Sequence, residues 1–480
     1  MQNLATLLLV PVVSLASAGD PPEWGGFRGN NGAGLAASET IPDALDPETN
    51  RMWRTEVPPG YSSPTVAGER VFVTAVDGKT LLTLCLDRAT GEARWTNEVE
   101  FDGRRPGANS PAAPSPTTDG ERVYVLFDGY GLVVYDVEGE ELWDKPMGPF
   151  NIPHGISSSP LAHDGKVVLL VDQDLDAYLI AFDAESGEEL WKTERRGVVQ
   201  GYSSPVLYTP AEGEAQVVVS GSFQIAGYSL ASGEKLWWVD GGAWQAKCVP
   251  VIAGEHCYVN SHMVSTGEIG MPRFTQTFDE LLAERDADGD GLVARDEWDH
   301  PGLQQAWFIF DLNDDGKLDA GDWDYAVASG RSTGGLFAIR LGGEGDVTES
   351  HVDWLYDGRK GLPHIPSPIV VGDALFTVKE GAILTAFDLG TGEALKSERI
   401  GEPDTYYASP ISAAGKIITA SQSGHLSVIR AGKDWEVVST HPLDEEVWST
   451  PAIAGDQVFV RTLEAIHCFG PAAAEPAEEG

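Results

Sequence analysis

Residues 158–191 read SSPLAHDGKVVLLVDQDLDAYLIAFDAESGEELW, and this stretch decides the fold. It begins with two serines and a proline, continues through two apolar runs, and ends in an acidic Ser-Gly-Glu turn that leads to a tryptophan. The same order recurs at 62–95 and at 203–237. Units of roughly 40–45 residues with short strands between turn signals predict a propeller or a solenoid, because one such unit cannot bury its own apolar face.

The proline that opens the unit recurs along nearly the whole chain. It stands at Pro64, Pro116, Pro160, Pro205, Pro250, Pro368, Pro410 and Pro451. Within a unit, two strand-like runs, a tight turn and a final strand give the four antiparallel strands of a propeller blade. The last unit lacks a tryptophan-bearing fourth strand, but residues 51–57 offer one ahead of the first unit. We therefore expect an all-β, eight-bladed β-propeller over residues 50–470, closed by its N-terminal strand so that no sheet edge stays open.

The acidic turns resemble the pyrroloquinoline-quinone (PQQ)-type repeat, in which a segment of the form Asp-x-x-Thr-Gly-Glu-x-x-Trp docks one blade on the next. The segment stands here as DRATGEARW at 87–95, as DAESGEELW at 183–191 and, decayed, as DLGTGEAL at 388–395. The stretches 24–29, 155–160 and 203–205 are also similar to exported bacterial propellers described as PQQ-like or BamB-like. The resemblance implies the propeller fold, and for most of those proteins no reaction is assigned.

Acidic residues dominate the charge, with 74 Asp and Glu against 32 Lys and Arg and a formal net charge of −42. Such a surface repels a nucleic-acid backbone, so we expect no nucleic-acid partner. Cationic partners or bound metal ions fit this composition better.

The N-terminus predicts export. An apolar run at 4–15 followed by Ala16-Ser17-Ala18 indicates a signal peptide over residues 1–18, cleaved after Ala18, and hence a periplasmic or secreted protein. A retained membrane anchor is the alternative, because no Lys or Arg precedes the apolar run. No other stretch approaches the ~18 apolar residues that a membrane span needs. Residues 19–49 are expected to form an N-terminal extension, and residues 471–480 a disordered tail.

Export permits disulfides, and the chain has four cysteines. Cys85 and Cys468 occupy matching positions in the first and last repeats, which a closed ring makes neighbours. Cys248 and Cys257 flank one predicted hairpin. Each pair either forms a bridge or stays as two buried thiols, and the sequence leaves both readings open.

One interval between repeat prolines, from Pro250 to Pro368, is far longer than the others and holds an insertion predicted over residues 270–330. Residues 286–297 read DADGDGLVARDE, which matches the EF-hand calcium loop in its oxygen-bearing residues, its central glycine and its final glutamate. Apolar residues at helical spacing precede the loop. We therefore predict Ca²⁺ as the cofactor. The alternative is acidic loops that fold without metal, which the mutual repulsion of so many carboxylates disfavours. Its predicted ligands in this loop are Asp286, Asp288, Asp290, Leu292 and Glu297, with Leu292 acting through its backbone carbonyl.

A second loop, DLNDDGKLDAGD at 311–322, follows the first and predicts an EF-hand pair. It ends in aspartate where glutamate is usual, so its site is expected to be weaker or to tolerate magnesium. A third acidic run, DQDLD at 172–176, lacks the glycine and the final glutamate, and we expect it to be a solvated turn. The predicted ligands of the second loop are Asp311, Asn313, Asp315, Lys317 (backbone carbonyl) and Asp322.

The loops that lead into the innermost strands gather at the mouth of a propeller channel and are the candidate binding site. Three positions before the repeat prolines stand Tyr61, Ala113, Ser157, Tyr202, Lys247, Ile365, Tyr407 and Trp448. Basic pairs lie just upstream at 104–105, 195–196 and 359–360, and His154 and His364 occupy equivalent loops. The interpretation is a face that binds a protein or an extended or anionic ligand. The alternative is that the aromatics pack between blades and the basic pairs balance local charge. The candidate ligand-binding residues are Tyr61, Tyr202, Arg196, Lys247, Tyr407 and Trp448.

No catalytic or organic-cofactor-binding residue is predicted. Enzymes that use PQQ resemble one another in a vicinal Cys-Cys ring and in a catalytic aspartate beside calcium ligands, whereas this chain has no Cys-Cys step. No nucleophile elbow, zinc-protease motif or phosphate loop occurs. We expect an exported, non-catalytic propeller that scaffolds or binds partners and carries a calcium-binding insertion. A PQQ-dependent or other propeller-based oxidoreductase is the alternative, and the oligomeric state stays open.

Overall fold

The computed structural model describes residues 22–103, 107–261, 273–298, 304, 307–358 and 360–471. The predicted signal peptide, the tail beyond residue 471, and Arg104, Arg105 and Arg359 lie outside the described residues. Within the described part, eight antiparallel sheets form the blades of a propeller, which confirms the predicted fold class. No helix in this part has the length and apolar character needed to cross a bilayer.

Each blade has four antiparallel strands, and its innermost strand begins at the residue after a repeat proline. In blade 4 a short fifth strand, Gly345–Asp346, pairs parallel with the outermost strand Lys235–Asp240. From the axis outward, the strands of blades 1 to 4 are Thr65–Ala67, Arg70–Asp77, Thr80–Asp87 and Ala93–Glu100; Thr117–Thr118, Arg122–Phe127, Gly131–Asp136 and Glu141–Pro146; Leu161–His163, Lys166–Val171, Tyr178–Asp183 and Glu189–Glu194; Val206–Tyr208, Gln216–Gly221, Gln224–Ser229 and Lys235–Asp240. Those of blades 5 to 8 are Val251–Ala253, His256–Ser261, Gly335–Arg340 and Val352–Tyr356; Ile369–Val371, Ala374–Lys379, Ile383–Asp388 and Ala394–Arg399; Ile411–Ala413, Lys416–Ala420, His425–Arg430 and Glu436–Pro442; Ala452–Ala454, Gln457–Arg461, Ala465–Phe469 and Arg51–Glu56.

The N-terminal strand closes the ring as predicted. Arg51–Glu56 pairs antiparallel with Ala465–Phe469, with Trp53 opposite Cys468, and becomes the outermost strand of blade 8. Closure in this way joins the two ends of the propeller by backbone hydrogen bonds, so blade 8 has a complete set of strands.

The acidic turns dock neighbouring blades through tryptophan. Trp143 on blade 2 donates its indole N–H to the carbonyl of Ala184 on blade 3 at 3.1 Å. Its ring also covers Gly187, where an added Cβ would lie 2.7 Å from the indole. Gly187 has φ +70°, a conformation that glycine adopts without steric cost. The equivalent indole-to-carbonyl bonds are Trp53 to Arg88, Trp95 to Val137, Trp191 to Leu230 and Trp354 to Leu389.

The insertion joins the second and third strands of blade 5. Its described helices are α1 (Phe278–Arg285), α2 (Trp307–Phe310) and α3 (Ala320–Ser329), and a fourth short helix, α4 (Thr348–His351), follows in blade 5 itself. The acidic loops between these helices meet through a two-stranded pairing of Val293–Ala294 with Lys317–Leu318. Aromatic side chains including Trp298, Trp307 and Trp323 fill a core between the helices. That core extends to Val199 and Phe223 of the propeller.

A segment ahead of the propeller, residues 22–36, crosses the central channel, and we call it the strap. It exchanges backbone hydrogen bonds with blade 1 at Trp24 and Val66, and with blade 7 at Gly34 and Ser412. Asn31 in its middle donates to the carbonyl of Leu207 on blade 4 at 2.7 Å. The strap therefore spans the end of the channel away from the loops that precede the repeat prolines.

The four cysteines are all free and buried. The two disulfides that the sequence left open, Cys85 with Cys468 and Cys248 with Cys257, are not formed. Burial raises the pKa of the Cys85 thiol to about 12 and that of Cys248 to about 11, so both stay protonated at neutral pH. The thiols pack as small apolar side chains.

Candidate functional site

One cavity of about 400 Å³ lies on the propeller axis, and we call it the mouth cavity. All eight residues that precede a repeat proline by three positions line it, as the sequence predicted for the channel mouth. These residues meet at the cavity because each of their loops leads directly into an innermost strand. The lining also includes Phe27 of the strap and His154, and its other members are mostly small or hydroxyl-bearing.

Three aromatic rings form one wall of the mouth cavity. Trp448 stacks on Tyr407 with ring centroids 4.3 Å apart and planes 14° apart. On its other side it stacks on Tyr61 with centroids 4.9 Å apart and planes 5° apart. Offset stacks of this kind present an apolar surface whose polar atoms lie at the rim. Tyr202 and His154 stand across the cavity with their centroids 6.1 Å apart.

Charge in the lining is confined to Lys247 and to His154 when it is protonated, since no carboxylate lines the cavity among the described residues. Burial lowers the pKa of Lys247, and the charge of Glu380 opposes this shift only in part, since the two side chains form no ion pair. Glu446 sits at the rim, where it accepts the indole N–H of Trp448 at 2.9 Å. The mouth is therefore less acidic than the body around it.

The structure does not bring Arg196 into the mouth cavity. Its side chain is exposed and pairs with Glu194 at 3.3 Å. It lines two grooves, one between blade 3 and the insertion and one between blade 4 and the insertion. The physical reason is that the loop at 195–202 turns toward the insertion before it returns to the axis at Tyr202. Of the six candidate ligand-binding residues, the five that line the cavity are Tyr61, Tyr202, Lys247, Tyr407 and Trp448.

A ring of hydroxyl groups lies just below the mouth, and the sequence analysis missed it. The residue before each repeat proline is serine or threonine in every blade except blade 5, where it is Val249. The backbone N–H of this residue donates to the side-chain hydroxyl of the equivalent residue in the next blade, as from Ser63 to Ser115 at 2.9 Å. The ring closes from Thr450 back to Ser63 at 2.9 Å. The repeated hydroxyl one position before proline was the available signal for this ring.

Two buried arginines hold the loops that carry the mouth aromatics. Arg461 donates to the carbonyls of Ser62 and Pro58, at 3.1 and 3.4 Å, and so fixes the loop that presents Tyr61. Arg195 binds both carboxylate oxygens of Asp172, at 2.6 and 3.1 Å. The backbone of Asp172 in turn accepts the N–H of Gly201, next to Tyr202.

The expectation that 172–176 is a solvated turn is wrong at Asp172. That side chain is fully buried because Arg195 compensates its charge, and the hydroxyl of Tyr228 binds the same guanidinium at 2.6 Å. Asp174 is also partly shielded and accepts a hydrogen bond from Gln200 at 2.8 Å. Asp172 and Asp174 therefore anchor the loop at 195–202, whereas Asp176 is exposed, as expected for a solvated turn.

The first acidic loop gathers three carboxylates. Oxygens of Asp286, Asp288 and Asp290 all lie within 4.8 Å of one another. Asp286 accepts the backbone N–H groups of Gly289 and Gly291, at 2.7 and 3.0 Å, which turns its carboxylate into the loop. Leu292, predicted to act through its carbonyl, donates its own N–H to Asp290 at 3.0 Å.

The last residues of the two acidic loops occupy equivalent places. Glu297 accepts N–H groups from Ala287 and Ala294, at 2.7 and 2.8 Å. Asp322 accepts those of Leu312 and Asp319, at 2.9 and 3.1 Å. These donors are the second and ninth residues of each loop. Asp322 therefore connects the same two positions of its loop as Glu297 does, although its side chain is shorter. Burial raises the pKa of Asp322 to about 6.

The remaining residues of the second loop repeat the pattern of the first. Asp311 accepts N–H groups from Asp315 and Gly316, at 3.1 and 2.8 Å, and Asn313 also accepts from Asp315 at 3.0 Å. Lys317 differs from its counterpart Leu292, because its ammonium forms an ion pair with Asp290 of the first loop. One carboxylate of the first loop therefore already has a cationic partner within the protein.

The insertion rests on the loop that leads to Tyr202. Phe223 packs on Tyr325 of helix α3 with ring centroids 5.8 Å apart. Ser222, beside Phe223, donates to the carbonyl of Val199 at 3.1 Å, and Val199 belongs to the aromatic core of the insertion. Only two residues separate Val199 from Tyr202 in the mouth cavity.

Comparison with known proteins places these features in context. A family model described as outer membrane protein assembly factor BamB matches residues 37–180 and 175–271. The chain is 27% identical over 207 residues to the outer membrane protein assembly factor BamB of Burkholderia pseudomallei, which covers 40% of this chain and 48% of that protein. It is 24% identical over 209 residues to a polyvinylalcohol dehydrogenase of Pseudomonas sp, covering 38% of this chain and 30% of that enzyme. The matches thus span about half or less of these curated relatives.

Solved structures share the fold at low identity. BamB from Moraxella catarrhalis superposes with a TM-score of 0.56 at 10% identity, over 89% of this chain and 99% of that one. A europium-containing methanol dehydrogenase gives a TM-score of 0.57 at 11% identity, over 92% of this chain and 90% of that one. These likenesses show the propeller architecture alone, because BamB and a methanol dehydrogenase share it.

Proposed function

Because this chain is a propeller built from the BamB-like PQQ-type repeat, we propose that it is an exported, non-catalytic protein whose mouth cavity binds an extended anionic segment of a partner. The observation that carries the proposal is that all eight residues standing three positions before a repeat proline line one cavity on the axis. Five of the six candidate residues picked from sequence lie in its lining. A second element of the proposal is that the acidic loops of the insertion bind Ca²⁺.

The aromatic wall supports the binding of an extended chain. Tyr61, Trp448 and Tyr407 form a continuous stack on one side of the cavity, and all three are only half-buried. A partly exposed aromatic surface in a concave site loses water when a ligand covers it, which favours binding. A cavity of about 400 Å³ accommodates a few side chains of a segment and not a folded domain.

Lys247 supports an anionic ligand. Its ammonium is half-buried in the lining without an ion-pair partner among the described residues, and burial lowers its pKa. A carboxylate beside it would restore the favourable charge interaction that burial removes. This local preference opposes the overall charge of −42, which gives the mouth a selectivity that the rest of the surface lacks.

Calcium in the insertion is supported by the donor set. Calcium takes six to eight oxygen ligands, and the first loop brings Asp286, Asp288 and Asp290 together beside Glu297. Like charges at such distances repel one another unless a cation compensates them. The residues that would hold the ion in the second loop are Asp311, Asn313, Asp315 and Asp322, with the carbonyl of Lys317. A bound ion would supply charge compensation and rigidity to both loops.

Calcium would also steady the mouth through the insertion. Helix α3 follows the second loop and contacts Phe223, while Val199 belongs to the same aromatic core. A rigid insertion therefore restrains the loop that ends at Tyr202. We propose that calcium acts here as a structural ion for the mouth.

Calorimetry with defined peptides tests the binding function. Decapeptides that differ only in carrying Glu, Gln or Lys at alternate positions are titrated into the full chain in calcium. The expected order of affinity is Glu above Gln above Lys, and Lys247→Met should remove the preference for Glu. The proposal fails if no peptide binds, or if the combined change Tyr61→Ala, Lys247→Met and Trp448→Ala leaves binding unchanged.

The oxidoreductase alternative is tested separately. The mouth lining offers no carboxylate among the described residues, so a catalytic aspartate has no candidate there. Incubation with PQQ and calcium followed by dye-linked oxidation of alcohols and sugars gives the direct measurement. Oxidation above that of the protein without quinone would replace the binding proposal with an enzymatic one.

A further inference from the structure

The mouth of the channel carries two opposite charges on different sides. Lys247 belongs to the loop that leads into blade 5, and Glu446 belongs to the loop that leads into blade 8. Three blades along the ring separate these loops, so the two side chains do not neutralise each other. Both are open to solvent, since Lys247 is half-buried and Glu446 is exposed. A ligand in the mouth can therefore meet a positive charge at one end and a negative charge at the other.

Glu446 is held against the aromatic wall. Its Oε2 accepts the indole N–H of Trp448 at 2.9 Å, which orients the carboxylate. Burial and the negative charge of Glu446 raise the pKa of Tyr61, so the field of this carboxylate reaches a side chain that lines the mouth cavity. No described residue donates a hydrogen bond to its other oxygen, Oε1. That oxygen is available to a cationic group of a ligand.

The surface between the two charges is apolar. Ile365 on blade 6 and Tyr407 on blade 7 are the lining residues that stand between Lys247 and Trp448 around the ring. Tyr407 continues this surface into the stack with Trp448. Apolar surface beside a charge keeps water away and strengthens its interaction with an opposite charge. A ligand that runs from one charge to the other therefore crosses side chains that favour apolar contacts.

We propose that the mouth selects a dipolar segment, in which an acidic side chain contacts Lys247, a basic side chain contacts Glu446, and apolar residues lie between them along Ile365 and Tyr407. This inference rests on the proposed function, because it assigns the chemistry of the segment that the mouth binds. A segment with acidic residues alone would satisfy Lys247 but would bring a like charge toward Glu446, which weakens binding. Lys247 is thus the anchor, and Glu446 determines specificity.

The alternative role for Glu446 is that it only orients Trp448. Glu446→Gln separates the two roles, because the amide oxygen of glutamine still accepts the indole N–H while the negative charge is removed. The side chain is exposed, so this change should leave stability nearly unaffected. Glu436→Gln is the matched control, because it removes an exposed carboxylate from the outer strand of blade 7 and changes the net charge equally.

Calorimetry with singly and doubly charged peptides tests the specificity. Decapeptides of neutral residues carry one Glu at a fixed position and either one Lys or one Gln, placed at increasing separations on either side of it. In the wild type, Lys at the matching separation should bind up to about fivefold more tightly than Gln at the same place. Glu446→Gln should remove this advantage, and Glu436→Gln should preserve it. Alternating Lys peptides cannot show the contact, because they also place a positive charge beside Lys247.

Charge reversal gives a second measurement. In Glu446→Lys, a second Glu at the matching separation should bind more tightly than Lys there, which inverts the wild-type order. The inference is overturned if Lys exceeds Gln at no separation, or if the advantage of Lys persists in Glu446→Gln. If no peptide binds, the proposed function fails and the dipolar segment fails with it. A preference for Glu that is lost in Lys247→Met, without any gain from Lys, overturns the dipolar segment alone.

Discussion

Trp448 and Tyr407 stack with their ring centroids 4.3 Å apart at the mouth of the channel. The two residues come from neighbouring blades and stand at the same position relative to their repeat prolines. Their contact therefore follows from the side-by-side packing of two consecutive blades that carry the same loop, and it makes an aromatic surface that neither blade has alone.

Replacing Trp448 should weaken binding at the mouth more than it changes stability. Trp448→Ala removes the middle ring of the stack, and we expect a loss of about tenfold or more in affinity for the acidic decapeptide, as for a central aromatic anchor. Calorimetry measures this loss. Trp448→Phe should recover part of it, and Trp238→Ala on the outer strand of blade 4 should have no effect. Equal losses from Trp448→Ala and Trp238→Ala would contradict the assignment.

Calcium binding should separate into two unequal events. In the full chain, Asp286→Asn combined with Glu297→Gln is expected to remove the stronger event, because it deletes two carboxylates of the first loop. The weaker event should remain and should be lost with Asp311→Asn. Asp176→Asn, in the acidic run outside both loops, serves as the control. An isotherm unchanged by the double substitution would rule out the first loop as a calcium site.

Lys317→Met should strengthen calcium binding at the first loop. The ammonium of Lys317 pairs with Asp290, so an incoming ion must displace it. Exposed ion pairs are weak, so the expected gain in affinity is modest, at most about fivefold. Lys433→Met, which removes an ammonium paired with Asp388 and Asp373 on the blades, should leave calcium affinity unchanged. A weaker affinity in Lys317→Met would show that the pair organises the loop.

Asp172→Asn should destabilise the protein strongly. It leaves Arg195 buried without its counter-ion, and breaking a buried pair in this way costs ~3–5 kcal/mol. Chemical denaturation measures the change. The double variant Asp172→Asn with Arg195→Met should be less destabilised than the sum of the single changes, since no unpaired charge remains. Simple additivity would mean that the two side chains do not interact.

Alanine substitutions at two glycines of blade 3 should distinguish the stability contribution of tryptophan docking from the cost of backbone strain. Gly187 and Gly165 have nearly the same φ, +70° and +68°, but only Gly187 lies against an indole. Gly165→Ala should cost about 1 kcal/mol from strain alone, whereas Gly187→Ala should cost ~2–4 kcal/mol because its Cβ also collides with Trp143. Denaturation curves give both values. Similar costs for the two variants would remove tryptophan docking as a source of stability.

The repeat made the fold and most of the mouth predictable. Eight prolines fix the starts of eight innermost strands, and counting back three residues from each identifies the lining of the cavity. The strand that closes the ring was predictable because the last repeat lacks its fourth strand while residues 51–57 supply one. These successes depend on periodicity, which assigns equivalent residues to equivalent places.

Features without periodicity were not predictable. Arg196 was expected at the mouth from its place in the chain, but the loop at 195–202 turns toward the insertion, which no other repeat carries. Asp172 has the local composition of a polar turn, and its burial depends on Arg195, which lies in a different strand connection. The path of the strap across the channel gave no signal either, because its contacts with blades 1, 4 and 7 follow from no repeat.

The pairing of Arg51–Glu56 with Ala465–Phe469 also constrains how the protein can be made. Synthesis produces the closing strand before any blade and its partner after all the others. The closing strand must therefore stay unpaired and protected from wrong partners until residues 465–469 have been made, so blade 8 is the last blade that can be completed. Loss of either of these two strands would leave blade 8 incomplete, which ties completion of the ring to the presence of both.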